Sequence, residues 1–99
     1  MDKNQLVVLA RFKAREGKED QAHNELTALV APTRTEPGCK YYACHAVQES
    51  PGEFVFYEIW ETRQALDEHI QKPYLQAILG KAEELFAEAP DIRFLEKLV

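Results

Sequence analysis

The sequence predicts an α+β domain whose elements run β-α-β-β-α-β. Three observations predict it. Apolar residues change along the chain from strand-like runs to helical spacing and back, in that order. A turn, Glu49-Ser50-Pro51-Gly52, separates two neighbouring strand-like runs and makes them a hairpin. The chain has 99 residues, room for one domain over 1–99 with a core from about 5 to 98, and no repeat, low-complexity tract or long linker divides it. This order is the ferredoxin-like arrangement, a four-stranded antiparallel sheet with the helices on one face.

The first strand is read within Gln5 to Ala14, where LVVLARFKA is β-branched and apolar, and Glu16-Gly17-Lys18 breaks it. From Lys18 the period changes. Ala22, Leu26, Leu29 and Val30 fall at i, i+4, i+7 and i+8, one face of a helix, with Glu19 and Asp20 suited to its positive N-terminal end. Pro32 is expected to stop or kink that helix, because it has no N–H and clashes with the preceding turn. Pro37-Gly38 marks a loop. Cys39 to Gln48 is the second strand, and Glu53 to Trp60 (EFVFYEIW) the strongest strand of the chain. Thr62 is placed to cap a short helix running to about Ile70. Pro73 suits a first helical position. After it Leu75, Ile78, Leu79, Ala82, Leu85 and Phe86 draw one long amphipathic helix that Ala89-Pro90 ends. Asp91 to Leu98 closes the chain as a fourth strand.

A sheet with one face in water alternates apolar and polar residues. These strands do not. Leu6, Val8, Ala10 and Phe12 oppose Val7 and Leu9; Phe54, Phe56 and Trp60 oppose Val55, Tyr57 and Ile59; Ile92, Phe94 and Leu98 oppose Leu95 and Val99. One face belongs under the helices. The other would expose more than the few hundred Å² that a soluble monomer tolerates. At ~25 cal/mol per Å², covering it is worth many kcal/mol before the cost of association. The expectation is a homodimer, two copies meeting face to face about a two-fold axis, with a cavity between sheet and helices.

Twelve Lys plus Arg against seventeen Asp plus Glu leave a net charge of −5. That argues against non-specific nucleic-acid binding and against a polybasic membrane-surface role. No apolar run approaches the ~18 residues of a membrane span. The start of the chain, Met1-Asp2-Lys3-Asn4-Gln5, is polar and leads into the first strand without the pattern of a signal peptide, so the expected location is cytoplasmic. Cys39 and Cys44 are the two cysteines. On one extended strand they would stand roughly 16 Å apart and on opposite faces, beyond the ~7 Å that a disulfide allows. They read as small buried residues.

Dinucleotide, P-loop, zinc-protease and serine-hydrolase signatures are all missing. His23, His45 and His69 lie on three different elements, which gives no metal-ligand pattern. His23 and His45 read as structural or solvent-facing. His69 shares its helix with Leu66 and Ile70 and lies beside the apolar face. It is either a half-buried imidazole with one partner or, since imidazole titrates near neutrality, a general base at a pocket rim. Trp60 is either core or a flat wall for an aromatic ligand with an N–H to spare. Tyr74 opens the last helix, where its phenol faces a cavity or solvent. Tyr41, Tyr42 and Tyr57 read as packing residues.

The stretch from Phe54 to Glu61, then Thr62 to Ile70, then Lys72-Pro73-Tyr74-Leu75, resembles the central signature of the antibiotic biosynthesis monooxygenase family. Upstream, Ala10-Arg11-Phe12, Gly17-Lys18, Ala31-Pro32-Thr33-Arg34 and Glu36-Pro37-Gly38-Cys39 match its usual pattern too, so the resemblance covers about Leu6 to Leu95. It implies a dimeric α+β barrel. Trp60 and His69 fall on positions the family tends to use around its ligand pocket. Tyr74 falls where many members carry a second histidine, a departure that bears on any mechanism needing two imidazoles. Tyrosine can still donate a hydrogen bond but is a poor base at neutral pH.

The resemblance implies use of O₂ without flavin, haem or metal on a quinol-like or polycyclic phenolic molecule that reduces O₂ once deprotonated. The protein then supplies an apolar chamber, a base and oxyanion donors. His69 is the candidate base, with Trp60 and Tyr74 the candidate donors. Two other readings share the scaffold: an isomerase of small carbonyl compounds with His69 as base, and a dimeric pocket that binds a hydrophobic ligand without turnover. Haem-degrading proteins, which the family also resembles, tend to carry an asparagine in the first strand, and residues 5–14 contain none.

Overall fold

The computed structural model describes residues 5–99, so the polar start at residues 1–4 lies outside the described residues. The chain runs β1 (Leu6–Lys13), α1 (Glu19–Thr27), α2 (Val30–Thr33), β2 (Cys39–Ala46), β3 (Glu53–Trp60), α3 (Arg63–Ile70), α4 (Pro73–Leu79), α5 (Ala82–Leu85) and β4 (Asp91–Leu95). The strands form one sheet in the order β2-β3-β1-β4, with every neighbouring pair antiparallel. This is the ferredoxin-like α+β fold expected from the sequence.

Register decides which side chains share a face. Val8 pairs Glu58, Ala10 pairs Phe56 and Phe12 pairs Phe54, and these meet Ala22, Leu26, Leu66 and Leu85 from the helices in one core. Phe12 packs its ring 5.6 Å from Phe56 and 5.2 Å from Phe86. On the other face Val7 pairs Ile59 and Leu9 pairs Tyr57, with Tyr41 opposite Ile59 and Leu95 opposite Val7. Among the described residues the helices pack on the first face and not on this one. Tyr41 is 47% exposed there and stacks edge-on against Tyr57 at 5.8 Å. Both faces are therefore apolar at the centre of the sheet. Among the described residues no helix is long and apolar enough to cross a membrane.

Local signals are matched where local chemistry sets them. The Thr62 hydroxyl accepts from Ala65 N at 3.1 Å and caps α3, and Pro73 occupies the first turn of α4. Three boundaries differ from the sequence reading. The first helix ends at Thr27, five residues ahead of Pro32, whose ring nitrogen has no hydrogen for the Ala28 carbonyl, and resumes as α2 with Thr33 N donating to Leu29 O at 3.1 Å. The long last helix is two pieces broken at Gly80-Lys81, since glycine is a poor helix residue. Phe86 then turns extended and bridges Ala14, with Ala87 N donating to Lys13 O at 2.8 Å, so its ring reaches Phe12. β4 stops at Leu95, opposite Val7, because β1 offers only Leu6 beyond that point.

The cysteines also correct an expectation. A register shift between Cys39 and Tyr41 puts an extra residue into β2, so Cys39 pairs Trp60 and Cys44 pairs Phe56. Both therefore lie on the helix-covered face rather than on opposite faces. They are half-buried and free.

Candidate active site

Between the sheet and the helices lies a cavity of about 240 Å³. Its walls are mostly apolar: Val8, Ala10 and Phe12 from β1, Phe56 from β3, Leu66 from α3 and Leu75 from α4. Ile92 and Phe94 of the edge strand β4 also line it and are about half exposed, so the cavity opens beside them. Two lining residues carry a carboxyl or an imidazole, Glu58 and His69.

His69 is 2% exposed on the inner face of α3. Its ring stacks on Trp60 with centroids 4.6 Å apart and meets Tyr42 edge-on at 5.4 Å. Its Nδ1 lies 2.9 Å from Glu36 Oε2, which also accepts the Tyr74 hydroxyl. A carboxylate oxygen only accepts, so Nδ1 carries the hydrogen and Nε2 is left as the basic nitrogen. Nε2 makes no hydrogen bond among the described residues. Burial, reinforced by Glu36, pushes the Tyr74 phenol up to about 12, so it stays a donor at neutral pH.

Glu36 reaches this position through a close backbone approach. Gly38 sits at φ +86°, and a Cβ there would lie 2.6 Å from the Ala65 Cβ on α3. Only glycine lets the turn rest on that helix. Gly38 O then accepts Glu61 N at 2.7 Å, which ties the turn to the start of α3.

Glu58 stands on β3 between Val8 of β1 and Tyr42 of β2, facing the helices. It is 5% exposed. Its Oε1 accepts the Trp60 indole N–H at 2.9 Å, while Oε2 makes no hydrogen bond among the described residues. Burial pushes this carboxyl up to about 7; the indole hydrogen bond opposes that rise and the nearby Glu36 charge adds to it. Burial likewise raises the Tyr42 phenol far above its ordinary range and the Cys44 thiol to about 11. Neither is a nucleophile at neutral pH.

The structure thus brings His69, Trp60 and Tyr74 into one cluster, though on different terms. His69 lines the cavity. Trp60 is 0% exposed behind His69, with its N–H committed to Glu58. Tyr74 is half-buried, with its hydroxyl committed to Glu36. His23 and His45 are exposed on α1 and β2. Among the described residues no three of the His, Cys, Asp and Glu side chains group to hold a metal ion. Sequence reasoning missed the two glutamates. Glu58 had a signal: it is the one charged residue in the alternation Phe54, Phe56, Glu58, Trp60 on the helix-facing side of the strongest strand. Glu36 had none, because its burial depends on the distant Ala65 contact.

Residues 5–81 match the family model described as Antibiotic biosynthesis monooxygenase. The chain is 31% identical over 88 residues to an uncharacterised protein, sll1783, of Synechocystis sp., covering 89% of this chain and 60% of that protein, so it spans less than two thirds of that relative. It is 31% identical over 93 residues to Rv0793 of Mycobacterium tuberculosis, covering 94% and 91%. Among solved structures, PA3566 from Pseudomonas aeruginosa superposes with a TM-score of 0.91 at 29% identity, covering 97% of this chain and 96% of that one. A crystal structure of an antibiotic biosynthesis monooxygenase superposes with a TM-score of 0.87 at 26% identity, covering 95% and 99%.

Proposed function

This chain belongs to the antibiotic biosynthesis monooxygenase family, and from that premise we propose that it is a monooxygenase of quinol-like or polycyclic phenolic small molecules that uses O₂ without flavin, haem or metal. The observation that carries this reading is His69: a buried imidazole with Nδ1 held by Glu36 and Nε2 unengaged among the described residues, on the wall of a mostly apolar cavity.

His69 Nε2 takes the phenolic proton. The electron-rich anion then reduces O₂ itself, and oxygen adds at a ring carbon. One oxygen atom stays on the ring and the other leaves as water, with the substrate oxidised to the quinone level. Apolar walls hold O₂ and exclude water, which strengthens every charge interaction inside. Trp60 and Tyr74 belong to the same machinery as positioning residues, Trp60 through Glu58 and Tyr74 through Glu36. Two copies meet through the open face of Tyr41, Tyr57, Leu9, Ile59 and Leu95, and the protein works in the cytoplasm, where the free Cys39 and Cys44 stay reduced.

The test is oxygen uptake with a panel of hydroquinones and anthrone-like phenols, in chelator and without flavin. The expected result is uptake by the wild-type chain that falls by about 10²-fold or more in His69→Ala with the fold intact. A folded wild-type protein that consumes no oxygen with any of the panel removes the reading. Sedimentation checks the dimer: a folded monomer at micromolar concentration overturns it.

A further inference from the structure

We propose that Glu58 is a second proton-transfer group of this cavity, the acid that works with His69, and that the two together enolise small aryl ketones without oxygen. The inference rests on the reading of His69 as the base.

Deprotonating a phenol needs one base. A ketone makes a different demand, because its α C–H is a weak acid until the carbonyl oxygen is protonated or strongly hydrogen-bonded at the same time. The cavity holds a group for each half. Oε1 of Glu58 is tied to the Trp60 N–H, and Oε2 is unengaged among the described residues. The charged and titratable groups around Glu58 do not hold it ionised. Glu36 from the loop before β2 repels it, Tyr42 and Cys39 from β2 are neutral, and His69 from α3 has its Nδ1–H on Glu36. Among the described residues no Lys or Arg lines the cavity. The carboxyl accordingly keeps its proton up to about pH 7.

The step balances without an oxidant. His69 Nε2 takes the α proton, the C–H electron pair becomes the C=C bond, and the carbonyl π pair takes the proton of Glu58. The products are the enol, a Glu58 carboxylate and a His69 imidazolium, and reversal returns both protons. Ketone and enol are isomers. The enol of an anthrone-type ketone is a phenol, the electron-rich form that the proposed oxygenation consumes. The substrate class is thus extended to aryl ketones small enough for about 240 Å³.

The experiment is anaerobic incubation of the wild-type chain in D₂O with anthrone or indanone, with deuterium on carbon read by mass spectrometry. Exchange above buffer is expected, reduced by about 10²-fold or more in Glu58→Gln, whose amide oxygen still accepts the Trp60 N–H. Trp60 is the one tryptophan of the chain, and its N–H touches Glu58. Its fluorescence should therefore titrate with a midpoint near pH 7 in the wild type and in His69→Gln, and lose that step in Glu58→Gln. The proposal is overturned by no exchange in the wild type with either ketone. It is equally overturned by exchange that Glu58→Gln leaves unchanged, or by a fluorescence step that disappears with His69 instead of Glu58. The wild-type and His69→Gln measurements stand even if Glu58→Gln does not fold. Oxygen uptake without exchange overturns this proposal and spares the monooxygenase reading; exchange without oxygen uptake does the reverse.

Discussion

Two glutamates flank one aromatic stack, and they are buried almost equally, Glu36 at 7% exposed and Glu58 at 5%. At the Glu36 end the carboxylate oxygen accepts two donors, His69 Nδ1 and the Tyr74 hydroxyl. At the Glu58 end one oxygen accepts a single indole N–H, the other makes no hydrogen bond among the described residues, and the residue lines a mostly apolar cavity. The difference teaches that the number of donors, rather than depth, sets what a buried carboxyl does. Two donors make Glu36 a fixed acceptor that orients an imidazole. One donor leaves Glu58 able to carry a proton.

The contrast breaks most visibly when Glu36 is removed. Glu36→Ala leaves a buried N–H and a half-buried O–H without their acceptor, and each unsatisfied donor costs about 1–3 kcal/mol. Denaturant unfolding at fixed protein concentration measures it. A loss below about 1 kcal/mol would mean that Glu36 orders nothing.

Glu58→Gln has a smaller effect with a different signature. The folded-state pKa of about 7 lies above the ordinary 4.5, so the native state holds a proton that the unfolded chain releases. That contribution is present in full below pH 4.5 and is lost as pH rises to about 7. Relative to Glu58→Gln, the wild type should lose about 3 kcal/mol across that window and then run parallel to it. Stability curves that stay parallel throughout would place the Glu58 carboxyl in its ordinary range.

Next in size is Trp60→Phe, which removes the single donor at the Glu58 end. The indole hydrogen bond favours the carboxylate, so its loss should move the Glu58 midpoint above about 7, by about tenfold in the proton equilibrium. The pH profile of the exchange reaction reads it, and a downward move would reverse the assigned role of the indole.

How much of this was legible in the chain follows from the range of the cause. Thr62 capping α3, Pro73 opening α4 and the Glu49–Gly52 turn act over a few residues, and each is legible in them. The doubled apolar pattern of β1 and β3 was legible because sheet faces alternate with period two. The faces of Cys39 and Cys44 are not legible, because a bulge changes parity without a local sign. The apolar spacing overstates the last helix, because Phe86 keeps helical spacing while its backbone is recruited by Ala14, far away in sequence. At the site, His69 was visible from its place beside an apolar helix face. Glu36 stands 33 positions from its imidazole partner and is delivered by the Gly38–Ala65 approach, which no window of sequence contains.

Tyr74→Phe is the smallest and sharpest probe, because it changes the number of donors at one end only. Glu36 goes from two donors to one, the count that Glu58 already has, while the His69 contact at 2.9 Å remains. The lost hydrogen bond is worth about 1 kcal/mol. If donor number governs, Glu36 should then be a looser anchor for the imidazole. Its hold on the Nδ1–H tautomer weakens, and kcat falls by about threefold to tenfold with KM little changed. The Trp60 fluorescence step near pH 7, which belongs to the Glu58 end, should stay in place. Movement of that step in Tyr74→Phe would show that the two carboxyls titrate as one coupled unit, and the division of labour between them would fall.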